Sequence, residues 1–338
     1  MTHCAGRIRA VRWGLPIVIA LATMLLSASI AWAAPGDLDT SFGTGGKQTL
    51  NFGGEDRASH VVVTPDGRIV VVGSTTATGG GDFAVARFTA NGAPDTSFNG
   101  TGRVSLSTAP NVSDVGGGVA VLPDERIAVA GAGNATIDFV TKQLNADGSL
   151  DATFGTAGTS VVEFGATDIV NAMIRQPDGK LVLVGTTGAG NPATTGDFAI
   201  ARLNADGSLD TTFGAGGKQT VDFGGLDSAN AVAIQPDGKL IVAGQGGPGT
   251  DMAVTRLNPD GSIDTSFAPL TSGKAFVDFG GTDGANAMAL QPDGKIVLNG
   301  STTAAGSGDF AIARLNADGS LDPTFSGDGM ETLGYAAP

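Results

Sequence analysis

A Pro-Asp-Gly turn returns along this chain at Pro65-Asp66-Gly67, Pro177-Asp178-Gly179, Pro236-Asp237-Gly238 and Pro292-Asp293-Gly294, with Pro123-Asp124-Glu125 as a variant. The spacings are 58, 54, 59 and 56 residues. So long and regular a period restricts the fold to a solenoid, a propeller or an array, in which each unit buries its apolar faces on its neighbours.

Each unit holds four short segments rich in Val and Ile. In the fourth copy they are Lys218 to Phe223, Asn230 to Ile234, Lys239 to Gly244 and Asp251 to Leu257. No apolar period of 3.6 residues lasts long enough for a helix, so these segments read as strands. Between the second and third, Pro fixes φ and Gly accepts a positive φ, which suits a tight hairpin. An N-x-D-G turn follows the fourth. The third segment is apolar on both faces, as in Leu181-Val182-Leu183-Val184, and so must be covered on both sides. Blades of a propeller provide that cover, and four strands is the usual blade. In Asp197-Phe198-Ala199-Ile200-Ala201-Arg202, the alanines permit close approach on one face while Phe198 and Ile200 fill the gap on the other. The fold class expected is all-β, a five-bladed β-propeller of four-stranded antiparallel blades.

The combined text LNADGSLDTTFG, GGKQTVDFGG, ANAVAIQPDGKLIVAG and DFAIARLN resembles the delta-60 repeat, a bacterial repeat family of about this period. The likeness covers nearly all of residues 34–338. It implies a β-propeller and brings no general biochemical activity with it. The second copy departs most, with Glu125 for the turn Gly, Gln143 for Arg and Thr108 for Phe. A D-x-x-F element, preceded by Leu in four copies, occurs six times against five P-D-G turns counting the variant, leaving one extra first strand. Either Met330 to Tyr335 or Lys47 to Phe52 could complete a blade begun at the other end of the chain. An open arc is the alternative.

Residues 1–33 read as a secretory signal peptide. Arg7, Arg9 and Arg12 form its charged start, Leu15 to Ile30 is apolar, and Ala31-Trp32-Ala33 is a cleavage site. The remainder, 34–338, is expected to be a single propeller domain that is exported to the periplasm, cell surface or medium, with no membrane span after cleavage. Cleavage removes both Trp, the only Cys and three of 19 basic residues, so the net charge goes from −14 to −17. No disulfide can then support the fold. Most of the 33 acids occupy repeated positions, where Asp serves turns and strand starts. This acidity excludes nucleic acid, whose phosphates need a basic face.

Three kinds of site can be drawn from these residues. The N-x-D-G-x-x-D turns resemble part of a calcium loop, but Arg87, Arg202, Arg256 or Arg314 stands where the first carboxylate should be, with Gln143 in the second copy. The plainer expectation is a turn in which that Arg pairs with a repeated Asp. Asp56, Asp114, Asp168, Asp227 and Asp283 stand nine residues before each turn Pro. If the second strand is innermost, they could ring a channel mouth and hold a cation, or each could cap its own strand. A hydrolase of glycosidase or lactonase type would have to use the residues that break the repeat, His60 and Glu163 first, with Glu55, Arg57 and Glu331.

One His, one Tyr and no Trp or Cys beyond residue 33 is a poor set for catalysis. The expectation is therefore a monomeric, non-catalytic binding module without cofactor, calcium being the one candidate. A protein or glycan ligand would sit on the variable segments 74–81, 132–137, 186–196, 245–250 and 301–308.

Overall fold

The computed structural model describes residues 36–77, 81–107, 115–133, 137–165, 167–188, 196–304, 306 and 308–334. The chain divides into two compact units, Met1–Asp39 and Thr40–Pro338. Of the first unit only 36–39 are described, all irregular and exposed, and the expected signal peptide lies outside the described residues. No helix among the described residues is long and apolar enough to cross a membrane.

Thr40–Pro338 contains five four-stranded antiparallel sheets. Blade 1 is β1 (Asp56–Val63), β2 (Ile69–Thr75), β3 (Asp82–Phe88) and β4 (Arg103–Leu106). Blade 2 is β5 (Val115–Val121), β6 (Ile127–Gly133), β7 (Asp138–Leu144) and β8 (Thr159–Val162). Blade 3 is β9 (Ile169–Arg175), β10 (Leu181–Thr187), β11 (Asp197–Leu203) and β12 (Lys218–Val221). Blade 4 is β13 (Ser228–Ile234), β14 (Leu240–Gly246), β15 (Asp251–Leu257) and β16 (Lys274–Val277). Blade 5 is β17 (Asp283–Leu290), β18 (Ile296–Thr302), β19 (Asp309–Leu315) and β20 (Met330–Leu333). This is a five-bladed β-propeller. From blade 1 to blade 5 the first strands of successive blades pack on one another, so the first strand is innermost.

The blade begins one strand later than the textual unit. Lys218–Val221 pairs with β11 of the blade before it, and Lys274–Val277 with β15. At the end of the chain, β20 completes blade 5 by pairing with β19. Lys47 to Phe52, the other candidate for the extra strand, joins no sheet. It lies over blade 1 beside a cavity of about 460 Å³ lined by Val71, Gly73, Ala84 and Ala86.

The local chemistry explains the regularity. In the P-D-G turn, Gly67 adopts φ 84° and donates to the Thr64 carbonyl. Glu125 takes the same left-handed conformation at φ 67°, so the variant turn keeps its shape in a residue that tolerates it less well. Opposite the bulge in each innermost strand sits a glycine. A Cβ on Gly185 would lie 1.8 Å from the Ile169 carbonyl oxygen, and one on Gly244 would lie 1.9 Å from that of Ser228.

Successive blades meet by one repeated interface. From blade 1 to blade 4, each blade packs its forward face on the rear face of the next, where residues such as Ala253 and Ala311 on the third strand allow close approach. Phe198, Ile200, Val182 and Val184 of blade 3 pack on Ala229, Ala253, Val242 and Leu257 of blade 4. Met252 and Val254 of blade 4 pack on Ala311, Ala313 and Leu298 of blade 5. Packed interfaces join blades 1 to 2, 2 to 3, 3 to 4 and 4 to 5; among the described residues no comparable interface joins 5 to 1. Phe310, on the forward face of blade 5, is accordingly 56% exposed, whereas its counterparts Phe83, Phe139, Phe198 and Met252 are at 1% or less.

Candidate functional site

The N-x-D-G-x-x-D turns are closed by protein groups. Arg87, Arg202, Arg256 and Arg314 each donate Nε–H to the Asp eight residues on, at 2.6–2.7 Å. Each guanidinium also lies over a Phe ring, for example Arg202 at 4.6 Å from the Phe213 centroid. A second cation reaches the same carboxylate from the preceding turn, as Lys180 does to Asp210 at 2.8 Å and Lys239 to Asp264 at 2.7 Å. In blade 2, Gln143 replaces Arg and donates to Asp151 at 2.9 Å, with Arg126 as the cation. Burial pushes the Asp210 and Asp264 pKa values up, but these cations and the neighbouring hydroxyls and N–H groups outweigh it and hold both well below the usual range.

Of the five Asp residues before the turns, Asp168, Asp227 and Asp283 are placed at the junctions between blades and Asp56 at the start of blade 1. Each described member accepts the N–H of the residue four before it: Asp56 from Phe52, Asp168 from Phe164, Asp227 from Phe223 and Asp283 from Phe279. Asp114 lies outside the described residues. Asp168, Asp227 and Asp283 are buried. Each gathers two further carboxylates from the blade before it. One starts the third strand and the other follows the outermost strand. Asp197, Asp222 and Asp227 bring one oxygen each within 4.8 Å of the others, and so do Asp251, Asp278 and Asp283.

These groups push one another's titration up. Burial raises the Asp197 and Asp227 pKa values, and the Asp222 charge adds to both. Burial likewise raises Asp251, with Asp278 and Asp283 adding. Asp168 is raised by burial and by Asp138 and Glu163.

Glu163 is therefore the blade 2 counterpart of Asp222 and Asp278, exposed after an outermost strand. His60 is half-buried on an innermost strand, β1. The structure does not bring the two together. The His60 imidazole interacts with the backbone of Asn171 in β9, burial lowers its pKa, and its Nδ1 has no hydrogen-bond partner. A nucleophilic triad would need a carboxylate on that nitrogen. Near the axis, the bulge residue Asn171 donates to Ser228 Oγ, the Ala229 carbonyl and Asn230 Oδ1, and Asn230 donates to the Ala285 carbonyl. These amides tie innermost strands to one another. Of the variable segments, 245–250 is described throughout, and the others contain residues outside the described set.

The forward face of blade 5 was not singled out by sequence. Around Phe310 it presents Ile312, Asn299, Ser301, Arg314, Glu331 and Leu333. Asn299 stands where other blades have Val72, Ala130, Val184 and Ala243.

Residues 64–98, 122–154, 176–213, 235–267 and 291–325 match the family described as a β-propeller domain of unknown function, DUF5122. The chain belongs to that family. The matches fall one to a blade, from each P-D-G turn or its variant to the Phe of the D-x-x-F element. No curated protein sequence matches significantly. Solved structures similar to the chain include the PQQ-bound aldose sugar dehydrogenase from Streptomyces coelicolor, at 14% identity and TM-score 0.48, covering 83% of this chain and 82% of that one. A gluconolactonase from Xanthomonas campestris is similar at 17% identity and TM-score 0.39, with 71% and 70% covered. The extracellular domains 1–2 of Drosophila Semaphorin 1b are similar at 12% identity and TM-score 0.44, over 77% of this chain and 52% of that one. Likenesses this distant give no reaction or ligand to this chain.

Proposed function

We propose that this propeller is a non-catalytic interaction module of the cell envelope or secreted milieu, and that it binds a protein partner through the forward face of blade 5. The supporting observation is the exposure of Phe310, in a position whose counterparts are buried in every other blade. Leu333 beside it is 52% exposed. An apolar centre with Asn299, Arg314 and Glu331 around it has the composition of a non-obligate protein interface. The partner it fits is a protein surface of mixed small and large apolar side chains, which is what Ala253, Val242 and Leu257 offer to the forward face of blade 3 inside the chain.

The test is capture of envelope and medium proteins on three immobilised forms: the native protein, Phe310→Asp, and a variant with 245–250 replaced by Gly-Ser sequence. Sedimentation of the free protein runs alongside and detects a second copy as the partner. A partner kept by the loop variant and lost by Phe310→Asp is the expected result. Loss in the loop variant alone would move the surface to the loops. No partner and no self-association would reject the reading.

A further inference from the structure

Asp197, Asp222 and Asp227 at the blade 3–4 junction are partly compensated from within the chain. Lys274, the first residue of β16, donates to the Asp222 carbonyl, and its charge lowers the pKa values of Asp197 and Asp227 against the burial that raises them. Both oxygens of Asp227 have backbone donors, Phe223 N–H and Gly247 N–H at 2.5 and 2.9 Å.

The blade 4–5 junction repeats this geometry without the compensation. The counterpart of Lys274 is Met330, which lines an open pocket of about 350 Å³ together with Asp278, Asp328 and Glu331. Asp283 is 0% exposed. Its Oδ2 accepts Phe279 N–H at 2.6 Å, and its Oδ1 is buried with no hydrogen-bond partner. A buried carboxylate oxygen without a donor is costly. Two ligands of one calcium ion, each about 2.4 Å from it, can stand up to about 4.8 Å apart. One oxygen from each of Asp251, Asp278 and Asp283 falls within that span.

We propose that Asp251, Asp278 and Asp283 hold a calcium ion that ties blade 4 to blade 5. An all-oxygen donor set selects a hard cation, and three carboxylates at a partly exposed site leave room for water ligands. The ion would stand where Lys274 stands one junction earlier, so the chain should hold one calcium there and none at Asp197, Asp222 and Asp227.

The experiment is calorimetric titration of the chelator-treated, purified protein with calcium chloride, and with magnesium chloride in parallel, together with thermal melts. One saturable calcium site is expected, with a Kd on the order of 10⁻⁴ to 10⁻³ M as in extracellular modules. At about ten times that concentration, Tm should rise by about 2 °C. Asp278→Asn should weaken binding at least about tenfold, and Met330→Lys, which restores the residue type of the other junction, should abolish it. Melts without calcium confirm that both variants fold. Absence of saturable calcium binding in the native protein, or native affinity in either variant, would overturn the proposal.

Discussion

Strands β11 and β19 have the same sequence, DFAIARL, and opposite surroundings. In β11 all but Asp197 is buried, between blades 2 and 4. In β19, Phe310 is exposed and Ile312 and Arg314 are half-exposed. The seven residues specify a strand with a large-residue face and a small-residue face. Whether the large face becomes core or surface is decided by the presence of a following blade. A face that meets water in a repeat architecture carries polar residues, and here Asn299 and Glu331 lie beside Phe310.

The largest expected break in this comparison is Phe198→Ala against Phe310→Ala. The first empties a packed interface and should cost about 3–5 kcal/mol. The second should cost less than about 1 kcal/mol, in keeping with surface substitutions. Urea denaturation of the two variants measures both, and equal losses would mean that the face of blade 5 is buried.

Arg202 and Arg314 sharpen the contrast at the polar end of the same strands. Their side chains are 6% and 20% exposed, respectively, and both hold an Asp at 2.7 Å or less. Arg202→Met leaves Asp210 buried with Lys180 as its one remaining cation and should cost about 3 kcal/mol. Arg314→Met should cost less, since water reaches the Arg314 side chain and Lys295 still holds Asp322. The same denaturation series reads the difference.

Acid separates the turn carboxylates from those of the junctions. The pKa values of Asp210, Asp264 and Asp322 are depressed, so their contribution is present above the ordinary carboxylate pKa near 3.8 and is lost as pH falls below it. Asp168, Asp197, Asp227 and Asp251 are raised, so their ionisation opposes folding at neutral pH. Stability without calcium should therefore rise as pH is lowered from 7 toward the raised pKa values, then fall below about pH 4. A melting profile that declines steadily from neutrality would contradict this assignment.

Much of the fold was legible in the sequence because its signals are local. Pro, Asp and Gly mark the hairpins, and the doubly apolar Leu181 to Val184 requires cover on both faces. The phase of the blade was not legible, because a repeat has no marked beginning and Lys218–Val221 reads equally well as the first strand of one unit or the last of another. The Arg-to-Asp pairing in the turns was foreseeable from charge alone. The gathering of Asp251, Asp278 and Asp283 was not, since it joins residues from two sheets. Two departures in blade 5 lay in the text: Asn299 in a run where other blades have Val or Ala, and Met330 where blades 3 and 4 have Lys.

The most direct measurement compares thiol reactivity at two equivalent positions. With Cys4 replaced by Ser, Met252→Cys places a thiol on the forward face of blade 4 and Phe310→Cys on that of blade 5. The account expects the thiol at 310 to react with a soluble disulfide reagent at nearly the rate of a free thiol, while the thiol at 252 stays protected until denaturant is added. Equal protection at both positions would show that the forward face of blade 5 is covered in the isolated protein and would contradict the account.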